Sequence, residues 1–145
     1  MSPDHPPDDF DWVGAQAKCS TQFMFERLRT RVREDVQKRN GLFDRDDQWK
    51  FEFQDGEDED EDEFEVLRLV PSGRSETRVA AAVRFVRQGR RITVQGEDVE
   101  VDFVAVVMLD VMGQCRFAVG EAVYSDWEIR RMALDQLFFE ESDAE

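Results

Sequence analysis

The sequence predicts an α+β domain: one antiparallel sheet of five to six strands flanked by an N-terminal and a C-terminal α-helix, in the order α-β-β-β-(β)-β-β-α. Three observations predict it. Between Trp49 and Val123 the apolar residues recur with period two in short runs separated by Gly-, Pro- and Asp-containing turns. Upstream, Phe25, Leu28, Val32 and Val36 recur at steps of three and four, the stripe of an amphipathic helix. Downstream of Ser125 a broad apolar face returns with helical spacing. At 145 residues these elements fit a single domain, expected over residues 12–139.

The stretch from Val99 to Val123 organises the rest. Val101, Phe103, Ala105, Val107, Leu109 and Val111 share one face of a strand, and Val104, Val106 and Met108 share the other. Both faces read apolar, so this strand is expected near the middle of a covered sheet. Gly113-Gln114 suits a two-residue hairpin. That register would set Arg116, Ala118, Gly120 and Ala122 beside Phe103, Ala105, Val107 and Leu109, leaving a trough for a helix.

Residues 1–11 hold three of the four prolines and four acids, and read as a mobile tail. The first helix ends at Asn40-Gly41, a sequence suited to a left-handed stop. Its start is open between Asp11 and Ser20, since Ser20 can cap one helix while Trp12 to Ala17 can form an earlier turn. Arg27, Arg29, Arg31, Arg33, Lys38 and Arg39 give it a basic outer face, expected to be solvated and served by pairs such as Glu26 with Arg29.

A strand with one wet face follows over Gln48 to Gln54, and its hairpin partner begins at Phe64. Between them lies the acidic loop 55–63, expected to be extended and unpacked. Thr77 to Arg87 is the third strand, with Val79, Ala81, Val83 and Phe85 on one side. Ile92 to Val94 is a short strand or a lead into the next. Ser125-Asp126-Trp127-Glu128 has the form of a capping box opening the last helix, and Glu140 to Glu145 trails off as an acidic tail.

The net charge of −15 belongs to the appendages. Sixteen of the 34 acids fall in residues 1–11, 55–63 and 140–145, none of which holds a Lys or Arg. The remaining eighteen face nineteen bases, so the body is nearly neutral. Halophilic adaptation would spread acid over the whole surface instead.

Chemistry is scarce. The single histidine, His5, lies in the Pro-rich tail, which disfavours His-assisted catalysis and the common zinc sites. Cys19 and Cys115 are 96 positions apart, unlike a metal knuckle, and with no export signal they are expected as free, buried thiols in a cytoplasmic protein. Phosphate-binding glycine motifs are absent. The acidic loop fails as an EF-hand, since counting from Asp58 puts Glu63 at position six and Leu69 at position twelve. Asp110 and Glu121 interrupt apolar strands and are the one candidate acid–base pair, with water at the strand ends as the ordinary reading. No catalytic residue, metal or cofactor is therefore expected. No apolar run is long enough for a membrane span, and a −15 chain is repelled from nucleic acid despite Arg84, Arg87, Arg90 and Arg91.

The expected function is a non-catalytic protein-binding module of adaptor or chaperone type. A small acidic chain with helices flanking an antiparallel sheet resembles secretion chaperones and several immunity proteins only as a fold-level analogy. Any part of the two-faced apolar sheet that the two helices leave uncovered would suit a homodimer or a protein partner, with Leu134, Phe138 and Phe139 as anchors. Another reading is an acidic inhibitor or antitoxin that meets a basic partner with Asp55, Glu57, Asp58, Glu59, Asp60, Glu61, Asp62 and Glu63 as a polyanion mimic. A third is a ligand or enzymatic pocket between sheet and helix, near Trp49, Cys115 and Tyr124.

Overall fold

The computed structural model describes residues 7–42, 49–56, 62–74 and 76–140. Of the expected tails at 1–11 and 140–145, residues 1–6, with His5, and 141–145 lie outside the described residues, as do the loop acids Glu57 to Glu61 and Gln48.

Both helix starts are used. Asp11 caps α1 (Trp12–Lys18) by accepting from the Gly14 amide at 3.0 Å, and Ser20 caps α2 (Thr21–Asn40) by accepting from Phe23 at 3.0 Å. The α2 stripe is buried as its spacing requires, with Leu28 and Val32 fully enclosed. Gly41 closes α2 with φ −86°, so the expected left-handed stop is not used. Instead the Asn40 amide both donates to and accepts from the backbone of Phe51, at 2.8 and 3.0 Å. It stands in for a neighbouring strand at the sheet edge.

Among the described residues the sheet has seven strands, one more than the expected maximum: β1 (Lys50–Asp55), β2 (Glu63–Pro71), β3 (Thr77–Gln88), β4 (Arg91–Glu97), β5 (Asp102–Leu109), β6 (Cys115–Val119) and β7 (Ala122–Tyr124). They pair antiparallel in sequence order, a continuous meander. The extra strand arises because Gly120, at φ 60°, turns the chain after β6 and lets Ala122 to Tyr124 pair back on it. A bulge at Arg68/Leu69 pairs Arg68 with Ala81 and Leu69 with Val79, skipping Ala80. Val79 is thereby turned outward, away from the side of Ala81, Val83 and Phe85.

The helices cover one face only. α2 packs against β1, β3, β4 and β5, and α3 (Asp126–Phe139) packs against β3, β6 and α2. Phe64, Val66, Val83, Phe85, Ile92, Val94, Ala105 and Phe117 form the core beneath them. The expectation of a strand covered on both faces is corrected: on β5 Ala105 is sealed, whereas Val104 and Val106 are 42% and 39% exposed.

The β5–β6 hairpin also corrects the register. Leu109 pairs with Cys115 and Val106 with Ala118, so the loop spans Asp110 to Gln114 instead of two residues. Asp110 causes this, because its Oδ1 accepts from the amides of both Met112 and Gln114 at 2.9 Å while Oδ2 accepts from Arg116 Nε at 3.3 Å. Gly113 takes φ 78°, and a Cβ there would lie 2.4 Å from the ring of Phe10. The altered register exchanges the faces of β6. Phe117 and Cys115 now meet the core, while Ala118 and Arg116 join Val106 and Met108 outside. The expected trough of small residues is therefore not formed: Ala118 lies on the bare face, while Ala122 pairs with Val119 on the other side and Gly120 turns the chain.

Burial alone would raise the Asp110 pKa, but the Gln114 amide, the Arg116 guanidinium and the Met112 amide outweigh it and hold the carboxyl below its ordinary value. A depressed carboxyl stabilises the fold above its unfolded pKa and loses that contribution as pH falls below about 4. Urea midpoints of the wild type should therefore drop more steeply than those of Asp110→Asn over that acid range; parallel profiles would contradict the assignment.

No helix among the described residues is long and apolar enough to cross a membrane.

Candidate functional site

Two surfaces stand out, on opposite layers of the molecule. The first is a groove of about 370 Å³ between the C-terminal half of α2 and the length of α3. Its walls repeat with helical spacing: Asp35, Lys38 and Arg39 from the first helix, with Leu42 just past its end, and Trp127, Arg131, Leu134 and Phe138 from the second. α3 forms here because Glu128 reaches back and accepts from both the backbone amide and the hydroxyl of Ser125, at 2.9 and 2.8 Å. Those hydrogen bonds hold the Glu128 carboxyl below its usual pKa.

Arg130 joins the two helices. It donates from Nη1 to both carboxylate oxygens of Asp35, at 2.8 and 2.6 Å, and from Nε to Asp126 at 2.9 Å. Burial disfavours its charge, but Asp35 and then Asp126 more than compensate. The groove thus has a rigid crosspiece in which one guanidinium is held between two carboxylates.

At the other end, two buried arginines gather the last carbonyls of α3. Arg39 donates to Phe138 at 2.8 Å, and Arg68, 4% exposed, donates to the carbonyls of Gln136, Leu137 and Glu140. The Arg68 guanidinium also stacks 4.0 Å from the Trp49 ring, and that of Arg39 lies over Phe51 and Phe139. Desolvation, then the charge of Arg39, lowers the Arg68 pKa, and Glu140 opposes them.

The second surface is the outer face of the sheet. Val106, Ala118 and Val123 lie in one row across β5, β6 and β7, and Val104 adjoins them. Val123 is 49% exposed, so this is a flat apolar face without a helix over it.

The acidic loop is better partnered than its sequence suggests. Asp55 faces Arg29 at 3.4 Å and Arg33 at 3.6 Å, Asp62 faces Arg87 at 2.6 Å, and Glu63 pairs with Arg84. The expectation of carboxylates without counter-charge is corrected at these three positions. The arginines come from the supposedly solvated face of α2 and from β3, whose side chains reach across the hairpin instead of pairing along the helix.

Compared with known proteins, the chain matches no family model, no curated protein and no solved structure. Function rests on the surfaces alone.

The anchors expected at the end of the last helix divide. Leu134 and Phe138 are 2% and 6% exposed, and are core residues that floor the groove; Phe139 is 44% exposed at its rim. They turn inward because α3 lies flat on the sheet and α2. The cysteines are not free: Cys19 and Cys115 are bonded, with their Cα atoms 5.4 Å apart. Sequence separation concealed this, since the fold returns β6 to the start of α2. Trp49 and Tyr124 stand at opposite edges of the sheet, so the residues expected around a pocket do not converge. Asp110 and Glu121 likewise lie at opposite ends of β6, and no metal-binding cluster of acids, Cys or His occurs among the described residues. Sequence patterns gave no sign of Trp127, Lys38 and Arg131 as a group; only the alignment of two helices distant in sequence brings them together.

Proposed function

We infer that this chain is a non-catalytic protein-binding module that docks through the outer face of β5 to β7. The observation that carries the reading is the contiguous row Val106–Ala118–Val123 with Val104, apolar and open to solvent beside a core already sealed on the other face. A flat face of this kind can meet its own copy across a two-fold axis, which makes a homodimer the first partner to test. The separation of Asp110 from Glu121 supports a binding role over an acid–base one. Pairing of Asp55, Asp62 and Glu63 with the chain's own arginines weakens the polyanion-mimic reading, because those charges are already neutralised. A lasting Cys19–Cys115 bridge fits an oxidising compartment, so a cytoplasmic form of the chain would carry the pair as thiols.

The test is light scattering with size exclusion on the wild type and on Val104→Asp/Val106→Asp. Both positions face solvent, so the fold should survive. The wild type should elute as an assembly heavier than its 17.0 kDa chain and the variant as a monomer. A wild type that is strictly monomeric, and that captures the same proteins as the variant, would overturn the reading.

A further inference from the structure

The groove between α2 and α3 lies on the helical layer, away from the bare sheet face, and its chemistry is unlike the rest of the chain. Its lining is almost wholly apolar, built on Leu42, Trp127, Leu134, Phe138 and Phe139. Four cations and two acids border it, in a chain of net charge −15. Arg130 is neutralised by Asp35 and Asp126, and Arg39 is committed to the Phe138 carbonyl. Lys38 and Arg131 remain exposed on opposite walls, with no ion pair among the described residues. Trp127 is 57% exposed at the groove, a large aromatic surface left to water.

We propose that this groove takes an amphipathic helix from a partner protein, seating apolar residues against Trp127, Leu134 and Phe138 and placing carboxylates beside Lys38 and Arg131. Charge complementarity selects the occupant. Two free cations flanking an apolar floor favour acidic side chains on either side of an apolar stripe, a local complement to an anionic partner within a chain that is acidic overall. An open trough walled by two helices also suits a third helix, with anchors at helical spacing. This site is independent of the sheet face, and together the two surfaces would let the module bridge two proteins.

The test uses a fluorescently labelled synthetic helix with leucine along one stripe and glutamate elsewhere, and its counterpart with lysine for glutamate. Anisotropy titrations should show the glutamate helix binding the wild type at least tenfold more tightly than the lysine helix. In Lys38→Glu/Arg131→Glu this preference should invert, and both substituted residues are exposed enough to spare the fold. Val104→Asp/Val106→Asp should bind the glutamate helix like the wild type, which separates this site from the sheet face. Failure of either helix to bind, equal binding of both, or a preference untouched by the charge reversal would each overturn the proposal. So would displacement by decanoate with no loss on charge reversal, which would assign the groove to small amphiphiles.

Discussion

Reducing the protein with a dithiol, or replacing Cys19 and Cys115 by serine, should lower its melting temperature by roughly 10 °C or more. The bridge closes a loop of 96 residues, and in the chain-entropy account such a loop contributes about 4–5 kcal/mol by restricting the unfolded state. The native-state loss should be local. α1 buries none of its residues and makes its main contact with the sheet at β6, so the bond and the contact of Phe10 with Gly113 are its main tethers. Amide exchange should then quicken first in residues 7–18 while the core strands stay protected. A melting temperature indifferent to reductant would mean that the Cys19–Cys115 bridge does not stabilise the fold.

Arg68→Met should cost about 3 kcal/mol, read as a fall in the denaturant midpoint at constant slope. Methionine can replace the aliphatic stem but not the donors, so the carbonyls of Leu137 and Gln136 would be left without their partner in a buried setting. Removing a buried ion pair together with its charge can be neutral; here the acceptors belong to the helix backbone and stay behind. Arg68→Lys should recover little, because one ammonium cannot reach carbonyls spread over the last turn of α3 and also stack flat on Trp49. A loss below about 1 kcal/mol would mean that water reaches those carbonyls.

The two predictions bear on different aspects of what could be read from residues alone. The α2 stripe, the wet-faced alternation at Phe51 and Phe53, and the Ser125–Glu128 cap were legible because each is a local pattern, decided within one or two turns of chain. The β5 strand was legible as a strand and misread as to cover, since period two says which residues share a face and nothing of what lies opposite. At the hairpin the error was a matter of a single carboxylate. Asp110 takes two amides and lengthens the turn, and the exchanged faces of β6 follow from that.

By itself the sequence determined an α+β domain, an antiparallel sheet with a helix at each end, and a near-neutral body bearing acidic extensions. Those properties follow from periodicity and composition, which the chain carries without reference to its neighbours. Only the tertiary structure decided that Cys19 meets Cys115, that Arg68 closes the far helix, that arginines of α2 answer the acids of the hairpin, and that Lys38 and Arg131 face one groove. Each of these joins residues far apart along the chain, and such meetings depend on strand register and helix placement, which a one-residue shift can reverse.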